Sequence, residues 1–446
     1  MVGRKGRDVK SASRGGPGRW GWRVLAALLL VIPLVTALGG RGAVAQDDVA
    51  PLRIGTLFPF TGDLSDFGPA FWNAAELAAN QINAGGGVNG KPIELVRADT
   101  ATSPQQAVEE ARRLVDVEGV PAMIGPAGSG EALPVAESIA GPSHVLVISP
   151  SATSPALSIA NDDDFFFRTT ISDAAQGVVM ADLAHEQGYT TACVFYLNNA
   201  YGQGLSDAFA KQFTSDGGTV TAQVPHEGEQ ASYASELATC TADNPDVMIA
   251  ISYPESGRIF LRELVESGNV PALIFSDGLK SSDLFQELGW EQFEGDYGTA
   301  PGSAETEIGK AFDQAWQEAY GALPSYPYLR ETYDAVYVIA LAAQQAHSVD
   351  ATGIRDALRG VANAPGTVVT PGTEGWKKAV AALDAGEDID YEGAVGPLNF
   401  DQNGDVDKGT IVIWQIKNGE IVTAETREID LSGAAPSGTP AATPAA

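Results

Sequence analysis

The sequence predicts an α/β protein of two similar lobes, each a doubly wound, Rossmann-like sheet with helices on both faces. Three observations carry this. Strand-period and helix-period apolar patterns alternate along most of the chain, which implies parallel sheet. The alternation pauses and restarts near residue 170. The chain has 446 residues, 44% hydrophobic and 19% charged, which at roughly 150 residues per domain makes room for about two or three cores.

In the first set, residues 52–58 read as a strand, 70–83 as a helix, 93–98 as a strand and 104–118 as a helix. A short buried strand at 122–125, a helix at 132–140 and a strand at 145–149 complete it. The second set runs helix 175–187, strand 191–197, helix 204–216, strand 219–224, helix 232–240, strand 247–252, helix 256–267 and strand 272–276. A long apolar helix at 329–347 belongs to a segment that returns to the first lobe.

The two ends read differently. Arg4, Lys5, Arg7, Lys10, Arg14, Arg19 and Arg23 precede an apolar stretch at 24–38, and Ala43-Val44-Ala45 is a small-x-small cleavage site. Residues 1–45 are therefore expected to be a signal peptide, and the mature protein exported to the periplasm, envelope or exterior. The stretch is shorter than the ~20 residues that span a bilayer, and no cysteine at the site marks a lipid anchor. Removing a segment of net charge +7 takes the chain from −30 to −37. Such a surface repels nucleic acid and anionic membrane. Residues 431–446, rich in Ser, Gly, Thr, Ala and Pro, are expected to be disordered. Cys193 and Cys240 are expected to form one structural disulfide in an oxidising compartment, rather than two free thiols. Four histidines without ligand spacing argue against a metal site, and no cofactor is expected.

Ligands of open α/β sheets bind beyond the carboxyl ends of the strands, so the loops after residues 125, 149, 197, 252 and 276 are expected to converge on one cleft. Gly125-Pro126-Ala127-Gly128-Ser129-Gly130 opens a helix, where free N–H groups and the Ser129 hydroxyl suit an anionic group. It is neither a Walker A loop nor a Gly-x-Ser-x-Gly elbow. The next loop offers Ser151, Ala152 and the Thr153 hydroxyl between two prolines. Asp277 follows its strand directly and suits an ammonium group, although Ser-Asp-Gly is also an ordinary turn. Phe67, Tyr201, Tyr253 and Tyr328 are candidate walls with apolar bodies. Residues 401–407 hint at a calcium loop, but Val412 stands at the twelfth position, and a hairpin turn is the better reading.

These loops resemble the leucine/isoleucine/valine-binding protein family of type I periplasmic binding proteins, from about residue 52 to 420. The carriers are Leu57-Phe-Pro-Phe-Thr-Gly62 with Phe67-Gly68, Asn80-Gln-Ile-Asn-Ala-Gly-Gly-Gly-Val-Asn-Gly90 and Ile124-Gly through Ser129. Further along stand Ile148-Ser-Pro-Ser-Ala-Thr-Ser-Pro155, Tyr201-Gly-Gln-Gly204, Tyr253-Pro-Glu255 and Gly396-Pro-Leu-Asn-Phe-Asp401. The resemblance implies two lobes joined by a three-segment hinge, with crossings near Thr169, Asp296 and Asn399. Lobe 1 would comprise 50–169 and 297–398, and lobe 2 170–296 and 399–430. It implies that Ser129 and Thr153, with nearby N–H groups such as that of Gly130, hold a ligand carboxylate. A carbonyl near Ser151 or Ala152, the Thr153 hydroxyl and Asp277 would hold its ammonium, with Phe67, Tyr201 and Tyr328 against the ligand. Family amino-acid binders often carry Glu where Asp277 stands and Tyr where Ser252 stands, so leucine specificity does not follow.

The expected function is thus a non-enzymatic, monomeric substrate-binding protein that passes an amino acid or analogue to the membrane subunits of an ABC importer. A ligand-sensing subunit of the same fold is the alternative. An exported hydrolase is disfavoured, since no Ser/His/Asp order with elbow context is present.

Overall fold

The computed structural model describes residues 50–268, 270–303 and 305–431. The expected signal peptide, 1–45, and residues 432–446 of the expected tail lie outside them. No described helix is long and apolar enough to cross a membrane.

The first sheet holds β1 (Arg53–Phe58), β2 (Glu94–Asp99), β3 (Ala122–Ile124), β4 (Leu146–Ser149) and β5 (Phe166–Arg168). All are parallel, in the order β2-β1-β3-β4-β5. The chain then builds β6 (Thr191–Leu197), β7 (Thr219–His226), β8 (Val247–Ile251), β9 (Ala272–Phe275) and β10 (Tyr297–Gly302). A small parallel pair follows, β11 (Thr367–Val369) with β12 (Ile389–Tyr391), and then the long antiparallel ribbon of β13 (Lys408–Lys417) and β14 (Glu420–Asp430). The second sheet runs β14-β13-β10-β9-β8-β6-β7, parallel from β10 to β7. Central strands such as β4 and β8 are buried along their whole length and read as unbroken apolar runs, as a sheet covered on both faces requires.

Strand order reverses between β1 and β3 in one sheet and between β6 and β8 in the other. A crevice opens at such a switch point, because the helices on either side leave in opposite directions. The loops after β1, β3, β6 and β8 are thereby placed to form a site.

The returning segment is anchored by the helix Leu329–Ala346, which is buried from Leu329 through Gln344 except at Arg330. Its apolar residues cover the whole circumference from Ala335 to Ala343, so it packs on several sides, against the helix Gly68–Ala84 and the first sheet among others.

Two expected boundaries move. A break before Tyr297 falls one strand early, because residues 297 and 298 pair in parallel with β9 and 297–302 pair with β13. The second crossing therefore follows Gly302. Residues 399–407 stay with the first lobe: Arg359 and Asn363, on a helix that packs on β4, hold the carbonyls of Asp401 and Phe400. The second sheet resumes at Lys408. Within this stretch a bridge between Phe400 and Val406 closes the 401–407 loop. Its Asp401 carboxylate accepts from the N–H groups of Asn403 and Asp405, the bonding of a turn.

Cys193, on β6, and Cys240, on the helix Ala234–Thr241, are joined as a disulfide 47 residues apart in sequence. Loop-closure entropy for that separation is about 4 kcal/mol. The double substitution Cys193→Ala, Cys240→Ala is expected to lower unfolding free energy by up to about that amount. Urea denaturation of both forms measures it, and equal midpoints would show that the crosslink restrains nothing in the unfolded chain.

Candidate binding cleft

The switch-point loops of the two sheets meet. They enclose a cavity of ≈ 20 Å³ lined by Leu64, Phe67, Phe71, Ala127, Ser129, Ser151, Tyr201, Tyr253, Asp277, Gly278 and Tyr328. Every strand-end loop at the two switch points contributes: Leu64 and Phe67 after β1, Ala127 and Ser129 after β3, Tyr201 after β6 and Tyr253 after β8.

On the first lobe, two loops are bonded to one another. The Ser149 hydroxyl donates to the Pro126 carbonyl at 2.6 Å, and the Ser151 hydroxyl to that of Ala127 at 3.0 Å. The Ser129 hydroxyl, at the first residue of the helix Ser129–Val135, accepts from the N–H of Ser154 at 3.1 Å. Below them lies Arg168, wholly buried on β5. Its guanidinium donates to Asp405 at 2.6 Å, to the carbonyls of Ala152 and Ser154 at 3.2 and 2.9 Å, and to the Ser158 hydroxyl at 2.8 Å.

On the second lobe, Asp277 is the centre. Tyr201 donates to its carboxylate at 2.7 Å, Tyr328 at 2.6 Å and the Gln176 amide at 3.0 Å. Tyr328 reaches it from the returning segment, as a non-glycine residue at φ 71°, a strained conformation held by its surroundings. Gly278 has no side chain because a Cβ there would lie 2.4 Å from the Ser252 carbonyl. Tyr253 stacks on Tyr201 with ring centres 5.4 Å apart and planes 8° from parallel.

A second acid, Asp173, stands at the start of the helix Asp173–Glu186. Its Oδ2 accepts from the Thr153 hydroxyl at 2.8 Å, while its buried Oδ1 has no partner among the described residues. Burial pushes its pKa well above the ordinary carboxylate range, and the charge of Asp277 pushes it further. Asp277 is raised too, by burial, against the lowering effect of Tyr328, Tyr201 and Gln176. Two buried carboxyls that repel one another favour a shared proton or an incoming cation.

Outside the cavity the lobes are clasped at their lips. The Asp63 carboxylate accepts from the N–H and the hydroxyl of Ser256, both at 2.7 Å, and so caps the first turn of the helix Pro254–Ser267. Asp66 takes Arg258 at 2.9 Å and the Ser281 hydroxyl at 3.0 Å.

Of the residues proposed from sequence, Phe67, Ser129, Ser151, Tyr201, Tyr253, Asp277 and Tyr328 line the cavity. Gly130, Ala152 and Thr153 do not. Gly130 faces Asn199 across the lobes, the Ala152 carbonyl is taken by Arg168, and the Thr153 hydroxyl is committed to Asp173. Sequence reasoning missed Leu64, Phe71, Ala127 and Gly278 in the wall, and Asp173, Gln176 and Arg168 behind it. The i, i+3 spacing of Asp173 and Gln176 on one helix face, just past the first crossing, was the available signal.

Residues 51–405 match the family model described as periplasmic binding protein. The chemotactic signal transduction system substrate-binding protein BasB of Halobacterium salinarum is 31% identical over 86% of this chain and 90% of its own length. A Leu/Ile/Val-binding protein homolog of Brucella melitensis is 27% identical over 89% of this chain and 99% of its own. The crystal structure of a leucine-binding protein, LivK, from Thermotoga maritima superposes with a TM-score of 0.71 at 26% identity, covering 84% of this chain and 98% of that one.

Beyond Asp173 and Asp277, further carboxyls are held up in the fold: Asp63, Asp162 and Asp334 at about 6, and Glu131, the partly buried Asp296 and Glu331 at about 7, all with burial as the main cause. Unfolded, each titrates near 4. Each thus takes up a proton on folding, and its stabilising share is complete below about pH 4 and lost as pH rises through 6 to 7. His226, pushed down to about 4 by burial, acts oppositely below pH 6.5 but is a single group. The urea midpoint is therefore expected to be higher at pH 5 than at pH 7.5, and Glu131→Gln to flatten the slope. A midpoint that falls on acidification across that interval would contradict this account.

Proposed function

The chain belongs to the periplasmic binding protein family, in its leucine/isoleucine/valine-binding group, and from that premise we propose that it is an exported protein that binds an amino acid or close analogue in the cleft and delivers it to an ABC importer. Proteins of this family bind solutes and are not enzymes. The observation that carries the reading is the buried pair Asp173 and Asp277, one with an unpartnered oxygen and the other lining the cavity, opposite the hydroxyls of Ser129 and Ser151. An ammonium beside Asp277 relieves the repulsion between the acids, and a carboxylate beside Ser129 takes up a hydroxyl donor. Leu64, Phe67 and Phe71 supply the apolar wall for a side chain.

The cavity as it stands has room for about one water molecule. An amino acid enters only when the lobes part, so hinge rotation about the three crossings is the working motion. The Asp63 and Asp66 clasps re-form on closure. A monomer presenting both lobes at once to the membrane subunits fits this cycle. The similarity to a chemotactic substrate-binding protein supports a second reading, in which the closed form is passed to a sensory partner. Co-purification of a permease component rather than a receptor separates the two.

Calorimetry with a panel of amino acids and their amides tests the cleft. Asp277→Ala is expected to cost roughly 2–5 kcal/mol of zwitterion binding by leaving the ammonium unpaired. Unchanged affinity would remove the zwitterion from the proposal. Ser129→Ala is expected to weaken acids more than amides, and an equal loss for both would mean that Ser129 faces no carboxylate.

A further inference from the structure

A second cavity, of ≈ 560 Å³, lies at the crossings and shares no lining residue with the cleft. All three crossings wall it: Thr170 and Ile171 from the first, Gly302 from the second, Val406 and Gly409 from the third. Its volume is that of a small-molecule site.

Glu331 lines it. This residue is 3% exposed, near the start of the helix Leu329–Ala346; its carboxylate accepts from its own backbone N–H, and among the described residues no other residue donates to it and no ion pair reaches it. Arg330 beside it is engaged by Asp313 at 2.7 Å, and Arg330 and Lys280 both act on it through their fields. The Thr170 hydroxyl in the same wall is buried without a partner among the described residues. A buried carboxyl with so few donors is costly unless something arrives to bond it. Burial pushes Glu331 up to about 7, a shift that an adjacent cation reverses.

The charge of the remaining wall selects the sign of that partner. Glu428 and Asp430 face the cavity with Glu331, against a single cation, Lys408, which pairs with Asp430 at 3.6 Å. Ile171, Leu398, Val406 and Ile429 supply aliphatic surface. Among the described residues no cluster of metal-ligating side chains forms, so the chemistry fits an organic cation better than a metal ion.

We propose that this cavity is a second binding site, for a small aliphatic ammonium ion, with Glu331 as its counter-ion. The site stands independently of what the cleft binds.

The test is saturation-transfer NMR and calorimetry on the full chain, with n-butylammonium as probe and tetramethylammonium, which has no N–H donor, n-butyrate and butanol as controls. n-Butylammonium is expected to bind, and the controls not or much more weakly. Glu331→Gln is expected to weaken binding at least about tenfold, the order of a lost charge-assisted hydrogen bond. Val395→Trp, which fills the cavity from a half-exposed position, is expected to abolish it and decides the matter if the Gln variant does not fold. Asp277→Ala is expected to leave it within about twofold, since the two cavities share no lining residue. Absence of ammonium binding, its survival in both cavity variants, its loss in Asp277→Ala, or equal binding of butyrate would each overturn the proposal.

Discussion

The buried guanidinium of Arg168 is the interaction on which the site and the crossings both depend. It sits at the end of β5, just before the chain first leaves the first lobe. Through two carbonyls and the Ser158 hydroxyl it fixes the loop that carries Ser151 to Ser154, and through Asp405 it fixes the loop that precedes the third crossing. A charge wholly removed from water needs nearly every N–H satisfied, and four distinct acceptors from two loops do so. Neither loop can therefore move without exposing the other's partner. Removing one side of such a pair costs about 3–5 kcal/mol, which makes the geometry of the cleft floor a property of the hinge as much as of the loop.

The same logic of burial runs through the second lobe with the opposite sign. Asp277 and Asp173 are both withdrawn from water and both anionic at their ordinary pKa, and the hydrogen bonds they receive come mainly from neutral groups: two tyrosines and a glutamine on one, a threonine on the other. Hydroxyl donors stabilise a carboxylate but do not cancel its charge. Arg168 lowers Asp173 only as the smallest of the causes acting on it. The cleft thus keeps two buried acids without a full counter-charge inside a mostly neutral wall, and that imbalance, rather than cavity shape, is its most distinctive chemical feature.

How much of this was legible depended on whether a residue acts alone. The central strands from β1 to β9 were readable because buried parallel strands are mostly apolar runs, the partly exposed edge strands β2 and β7 from their place in the strand–helix alternation, and the cleft followed from where those strands end. Asp277, Ser129 and Tyr201 stand at such ends and were found. Arg168 stands on a three-residue strand that is too short for periodicity, and its role exists only because residues 405, 152 and 158 come to it. Asp173 reads as an ordinary helix-start acid until the fold brings Asp277 near it. Thr153 shows the converse: a hydroxyl in the right loop whose hydrogen bond goes to a residue twenty positions on. The boundary at Tyr297 was misplaced because a strand of Tyr, Gly, Thr, Ala and Pro carries almost no apolar signal, and only its pairing with β9 and β13 assigns it.

The lip contacts decide how the free energy of closure is divided. The cavity is small, so the surface a ligand buries there is limited. The clasps are themselves buried: Asp63 is 4% exposed although it caps a helix of the other lobe, and Arg258 and Asp66 are both mostly buried. Charge-assisted hydrogen bonds of this kind contribute about 1.5–3 kcal/mol each when formed, but the burial that forms them also raises Asp63 to about 6. Desolvation therefore takes back part of what the hydrogen bonds at Asp63 contribute. A clasp of moderate strength suits a binding protein: a strong one would close it without ligand, and an absent one would leave the whole cost of closure to the few contacts in the cleft.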